Sequence, residues 1–268
     1  KRFFAIKLLE KDDKIKEQMK SVPDVSAEIK TLEDAFDDDT ESIITNERYT
    51  YISSIIGECL KKDRKETERK PRGARLSQIM SFRILGTGMS VPERIVKNDE
   101  LANYVETNDE WIKQRVGIAE RHVATTEPCA DMAEKAAKAA LENAGVKPEE
   151  LDLIIASTVS GDYASPSLSC LVQKRIGATC MAFDISAACS AFMFLLETAA
   201  GYFARGHKKV LLVSSEKLSK LVDWSDRSTC VIFGDGAGAA VLGEGDSYFD
   251  SVFNVTGDDE VIRIPTYA

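Results

Sequence analysis

From about residue 150 onward, short continuous apolar runs alternate with helical stretches, and that alternation restricts the chain to a layered α/β architecture. The runs are residues 151–157, 181–185 and 209–214. They lack the every-second-residue polarity of a strand with one wet face, so each reads as a strand covered on both sides. Residues 166–176 and 188–204 read as intervening helices. An alanine-rich helix spans residues 128–144, with Gly145 just past its end and Pro148 beyond. Upstream, Phe82-Arg83-Ile84-Leu85-Gly86-Thr87-Gly88 reads as a strand entering a glycine turn. Asn98 opens a short helix, and Thr107 opens another with acidic residues in its first turn. Residues 233–242 read as a small-residue turn followed by two strands through about Val255.

One stretch within this pattern carries chemistry. Phe183-Asp184-Ile185-Ser186-Ala187-Ala188-Cys189-Ser190 takes a buried strand through small residues into a long apolar helix. Cys189 is thereby expected at a helix N-terminus, where backbone N–H groups and the helix dipole favour a thiolate. The arrangement follows the strand–turn–helix logic of a nucleophile elbow, with sulfur in place of oxygen. The glycine cluster Gly234, Gly236 and Gly238 is not GxGxxG and does not lead into a long helix, so it reads as close backbone packing rather than a phosphate cradle.

Residues 1–60 read differently, as a small all-helical module. Phe4, Leu8, Ile15 and Met19 share one helical face, and Pro23 ends that helix. Val25, Ile29, Leu32 and Phe36 form a second stripe. Asp37, Asp38, Asp39 and Thr40 then cap a third helix with Ile44, Tyr51, Ile52, Ile55, Ile56 and Cys59 on its apolar face. Residues 61–79 read as a basic linker, with eight basic and three acidic residues between positions 61 and 75. A solvated linker is the simpler reading, and contact with phosphates or acidic lipid heads is the alternative.

The totals narrow the function classes. The net charge of −9 disfavours a nucleic-acid partner. There is no apolar run long enough for a membrane span and no signal peptide. Six cysteines without zinc or CxxC spacing read as free thiols of a cytoplasmic protein, and no metal site is expected. The two histidines, His122 and His207, read as structural: His122 follows a strand-like Glu-Arg pair, and His207 sits solvated at a helix end.

Two families are resembled. The runs Arg2-Phe3-Phe4-Ala5-Ile6-Lys7-Leu8-Leu9-Glu10 and Glu47-Arg48-Tyr49-Thr50-Tyr51-Ile52 resemble the helical domain of ferrous iron transport protein B, over residues 1–79. That family's GTP-binding motif and membrane part have no counterpart in this sequence. Over about 80–268 the chain resembles β-ketoacyl-acyl-carrier-protein synthase III of the thiolase fold. The matching pieces are Ile84-Leu85-Gly86-Thr87-Gly88, Asp109-Glu110-Trp111-Ile112, Arg115-Val116-Gly117-Ile118, Glu120-Arg121-His122, the Cys189 stretch, Asp226-Arg227-Ser228-Thr229 and residues 233–242. They occur in the family's order.

The resemblance implies the first half of a thiolase-like fold, layered α/β with a mixed sheet, and a homodimer. It implies Cys189 as the nucleophile that takes an acyl group from acyl-coenzyme A. Trp111 and Arg227 would sandwich the adenine ring, Arg115 would meet the phosphates, and Thr107 would line the same entry. Coenzyme A enters as a thioester substrate, so no separate cofactor is implied. Malonyl-acyl-carrier protein would then condense with the acyl-cysteine, in a step the family assigns to a histidine and an asparagine. The His-Gln-Ala-Asn run that carries that histidine is not in this sequence, and the resemblance implies that both residues lie in a second half, leaving this chain truncated and impaired. Where the family often has an aromatic residue before a proline, Ser165 precedes Pro166 and Tyr163 lies two residues earlier, which leaves acyl-chain preference open.

Two other readings stand beside this one. The chain could be a regulatory fragment of the iron-transport GTPase with the synthase part as passenger, or a sibling thiolase-fold condensing enzyme. A natural gene fusion, an engineered splice and a sequence-assembly error would each account for the junction.

Overall fold

The computed structural model describes residues 23–36, 40, 43–44, 81–248 and 251–257. The chain divides into two compact units, Lys1–Pro71 and Arg72–Ala268. In the first, helix α1 spans Ser26–Phe36. Asp24 Oδ1 accepts from the Ser26 backbone N–H at 3.0 Å, which satisfies one of the helix's free amides. Val25, Ile29 and Leu32 are half-buried among exposed neighbours, as the stripe predicts. The expected helices around Phe4 and Tyr51 and the linker at 61–79 lie outside the described residues.

The second unit is a five-stranded mixed sheet in the order β1-β7-β6-β4-β5. The strands are β1 Phe82–Ser90, β4 Leu153–Ser157, β5 Met181–Asp184, β6 Lys209–Lys217 and β7 Asp235–Glu244. A short antiparallel ribbon pairs β2 Ile95–Lys97 with β3 Glu120–His122. β4 runs parallel to both β5 and β6, whereas β7 runs antiparallel to β6 and to β1. The helices are α2 Asn98–Leu101, α3 Asp109–Val116, α4 Cys129–Ala144, α5 Leu168–Ile176, α6 Ala191–Phe203 and α7 Arg227–Cys230.

The crossovers place the helices. α5 carries the chain from β4 to one side, and α6 carries it from β5 back across β4 to β6. Right-handed crossovers in opposite directions put their helices on opposite faces. The core divides accordingly. α4 and α5 pack Ala136, Ala140, Val172 and Ile176 against Ile154, Leu211 and Val241. On the other face α6 packs Leu195, Ala199 and Phe203 against Leu153, Ile155, Val210 and Leu212. β4 is buried at every position, as its unbroken apolar run requires.

Three elements differ from the sequence reading. β1 does not turn at its glycines but runs through them to Ser90. A Cβ on Gly86 would lie 2.4 Å from Ala144 N, and one on Gly88 2.3 Å from Ala136 O. The glycines therefore serve close approach to α4, whose alanines leave the matching space. Gly236 and Gly238 likewise lie inside β7, which is one strand rather than a turn and two. β5 is not covered on both sides: it is an edge strand, and Met181 is 47% exposed.

Candidate active site

The parallel strands β4, β5 and β6 point their carboxyl ends to one edge of the sheet. β1 runs the same way as β6, because each is antiparallel to β7. The segments leaving that edge are residues 91–119 after β1, 158–167 after β4, 185–190 after β5 and 218–234 after β6. In open α/β sheets this edge is where ligands bind. It holds Cys189, Thr107, Trp111, Arg115 and Arg227, whereas His207 precedes β6 at the opposite edge.

Cys189 sits in a single 3₁₀ turn, Ala188–Ser190, ahead of α6 rather than in the α-helix itself. Its side chain is exposed. Ala188 before it has φ +45°, left-handed territory that a residue with a Cβ enters only at a cost. The strain turns the chain sharply between β5 and α6 and presents residue 189 outward. It is the one local signal of an elbow that the residue types could not announce. The Ile185 N–H donates to Ala156 O at 2.8 Å, extending the β4–β5 pairing up to the turn. Asp184 accepts from the Leu168 and Ser169 N–H groups, both at 2.8 Å, and so ties the end of β5 to the start of α5.

The other predicted residues gather around an indole. Asn108 caps α3 by accepting from Trp111 N–H at 2.8 Å. The Arg227 guanidinium lies 4.6 Å from the Trp111 ring centroid, and that of Arg115 lies 4.8 Å away. Arg227 Nη1 also donates to Glu106 O at 3.2 Å, crossing from α7 to the loop before α3. Asp226 is occupied with its own turn, accepting from Ser228 and Thr229. Burial first, and then the like charge of Arg227, pull the Arg115 guanidinium below its usual range. The Thr107 hydroxyl is buried and makes no hydrogen bond. Two cations on one indole, with an unspent hydroxyl alongside, suit a flat ligand that carries negative charge.

The remaining polar groups are structural. His122 Nδ1 lies 2.6 Å from Pro92 O. His207 is not solvated as expected: it is half-buried with its ring edge-on to Tyr202 at 4.9 Å. Cys129 is fully buried, its sulfur 3.1 Å from Ser215 O, and burial pushes its thiol up. Gly234 approaches Arg121 and His122, where a Cβ would sit 3.1 Å from each, in keeping with a packing role.

Comparison with known proteins finds two resemblances. Residues 183–257 match the family described as 3-oxoacyl-[acyl-carrier-protein (ACP)] synthase III, and residues 1–61 match the FeoB cytosolic helical domain. The chain is 49% identical over 168 residues to a β-ketoacyl-[acyl-carrier-protein] synthase III of Clostridium acetobutylicum, covering 62% of this chain and 52% of that protein. It is 51% identical over 168 residues to the same enzyme of Oceanobacillus iheyensis, covering 54% of that relative. Among solved structures, the 3-oxoacyl-[acyl-carrier-protein] synthase III of Aquifex aeolicus VF5 superposes with a TM-score of 0.61 at 48% identity, covering 62% of this chain and 55% of that one. The priming β-ketosynthase of the R1128 polyketide pathway superposes at 0.60 with 40% identity, covering 62% and 50%. The chain spans about half the length of the curated relatives it matches. It thus joins a segment resembling the FeoB helical domain to a thiolase-like α/β segment resembling β-ketoacyl-acyl-carrier-protein synthase III.

Proposed function

We propose that the thiolase-like segment is the acyl-accepting part of a β-ketoacyl-acyl-carrier-protein synthase III. The Cys189 thiolate attacks the carbonyl of an acyl-coenzyme A thioester. The carbon–sulfur bond to coenzyme A breaks, its thiol leaves with a proton from solvent, and the acyl group stays on Cys189 as a new thioester. Trp111, Arg115 and Arg227 hold the adenine nucleotide, and Thr107 lines the entry. The observation that carries this reading is an exposed cysteine on a strained turn at the same sheet edge as an indole flanked by two guanidiniums.

Condensation with malonyl-acyl-carrier protein is a separate demand. It needs donors aimed at the oxygen on which charge develops. The chain's two histidines are His122 and His207, which are engaged with Pro92 and Tyr202. In this chain, condensation is therefore impaired while acylation remains. Incubation with radiolabelled acetyl-coenzyme A tests both halves. Label on Cys189, lost in Cys189→Ala, with no 3-oxoacyl product on adding malonyl carrier protein, is the expected result. An unlabelled Cys189 refutes the acyl-accepting role, and full turnover refutes the impairment.

The edge strand β5, with Met181 exposed on it, supports pairing with a second copy along that edge. No helix among the described residues is long and apolar enough to cross a membrane, and the proposed substrates place the work in the cytoplasm. The match of residues 1–61 to the FeoB helical domain favours a second reading, a GTPase-regulatory fragment with the synthase part as passenger. Capture by a guanine-nucleotide-binding domain separates the two, since a synthase has no reason to bind one.

A further inference from the structure

The two walls of the indole site come from distant parts of the sequence, α3 with Trp111 and α7 with Arg227. Their separation decides whether a flat base fits between them. Both rest on a small apolar cluster of Val96, Leu101, Ile112, Val123, Cys230 and Val231. Apolar packing is non-directional and does not by itself fix a spacing.

A directional element runs through that cluster. Arg121, on β3, is 5% exposed. Its Nη2 donates to Asn98 Oδ1 at 2.7 Å and to Val231 O at 3.2 Å, and its Nη1 donates to Val96 O at 3.2 Å. Val231 is the residue that ends α7. Asn98, 1% exposed, donates through Nδ2 to Asp109 Oδ1 at 2.9 Å and to Ile118 O at 2.7 Å. Asp109 is the first residue of α3, and Ile118 lies just beyond its last. One amide thus grips both ends of the Trp111 helix, and one guanidinium ties that amide to the end of the Arg227 helix.

We propose that Arg121, acting through Asn98, is the positioning residue that sets the gap between Trp111 and Arg227 and so tunes the site for the adenine end of a coenzyme A thioester. The inference rests on the reading of that pair as the adenine site. The chemistry of Arg121 fits the task. Its three acceptors are neutral, its Nε has no hydrogen-bond partner, and burial costs the cation solvation that no carboxylate among those acceptors returns. An apolar side chain of similar volume would brace the cluster at less cost. What it could not do is hold three segments in one plane, as the rigid guanidinium fork does.

The test compares two acyl donors on the full chain, acetyl-coenzyme A and acetyl-pantetheine, which lacks the adenine nucleotide. The rate of Cys189 labelling is read below saturation. Arg121→Met is expected to slow labelling by acetyl-coenzyme A about two- to fivefold, no more than the loss of the indole itself, because a misplaced wall forfeits part of its stacking, and to leave acetyl-pantetheine labelling unchanged. Arg121→Lys, which lacks the planar fork, behaves like Arg121→Met. If thermal unfolding shows that the Arg121 variants do not fold, Asn98→Ser cuts the same relay and is judged by the same donor ratio. A parallel loss with both donors means general disruption and overturns the proposal. So does an unchanged ratio in these variants when Trp111→Ala collapses it. An unchanged ratio in Trp111→Ala itself overturns instead the adenine reading on which the proposal stands.

Discussion

On the proposed reading, replacing Trp111 by alanine should weaken the use of acyl-coenzyme A about fivefold, and the geometry sets that figure. The Arg227 guanidinium rests 4.6 Å from the indole centroid. A base inserted between them needs two contact distances of roughly 3.5 Å, about 7 Å in all, so the guanidinium must retreat by roughly 2.4 Å. Trp111 and Arg227 are half-buried, and parting such a cation–π pair costs about 1 kcal/mol. Stacking a base on an aromatic face returns about 1–3 kcal/mol. Trp111→Ala forfeits the stacking, about 2 kcal/mol at mid-range, and also removes the cost of parting, so the net loss is about 1 kcal/mol, roughly fivefold. The assay is the labelling rate of Cys189 at sub-saturating acetyl-coenzyme A, with acetyl-pantetheine as the internal control. The loss should appear with the first donor alone. An equal fall with both donors would show that the indole serves only packing, and a faster rate would show that the closed pair obstructs the entry.

Two further consequences concern stability. Gly88→Ala places a methyl 2.3 Å from a backbone oxygen of α4, which cannot turn aside as a side chain would. It should destabilise the α/β unit by about 3 kcal/mol, the upper range for overpacking, as read from the denaturation midpoint; a change within error would mean that α4 shifts freely. Burial raises the thiols of Cys129, Cys180 and Cys230 above the ordinary 9.0. The folded state holds these protons more tightly than the unfolded chain. The resulting stability is full below about pH 9 and is lost as the pH climbs through the raised values. Cys129→Ala should flatten the alkaline fall of Tm, and an unaltered slope would exclude this thiol as its source.

The layered fold was legible because β4 and β6 carry the unbroken apolar runs Leu153–Ala156 and Val210–Val213 and α4 carries its own stop signal at Gly145, which takes φ +64°. The course of β1 was not. Glycine marks both turns and close approaches, and only the position of α4, set by residues fifty positions away, decides between them. The reading of β5 failed for a related reason. An apolar run states a tendency to be covered, whereas edge position is a property of the sheet order. Trp111 and Arg227 were paired through family resemblance, and the fold brings them to 4.6 Å. Asn98 reads only as a helix start and Arg121 only as part of a matching run, since a charged residue in a three-residue strand looks like solvent-facing surface until its 5% exposure is seen.

The exposure around Cys189 bears on why acyl transfer and condensation should part company here. α6 is apolar around nearly its whole circumference, a pattern suited to burial on both sides. Its inner side meets the sheet through Leu195 and Ala199. Farther along, the chain after β7 covers part of the outer side, with Phe253 stacked on Phe194 at 4.9 Å and Tyr248 and Ser251 both donating to Glu197. In its first turn, next to Cys189, Ala191 is buried, but Phe192 is 40% and Met193 54% exposed. Thioester exchange asks only that the sulfur be reachable and the donor held, and an open turn meets both needs. A carbanion formed beside an acyl-cysteine needs water kept away and donors fixed around the reacting oxygen. On the proposed reading, a surface that leaves Phe192 and Met193 to solvent would give the first reaction its access and withhold from the second the enclosure it depends on.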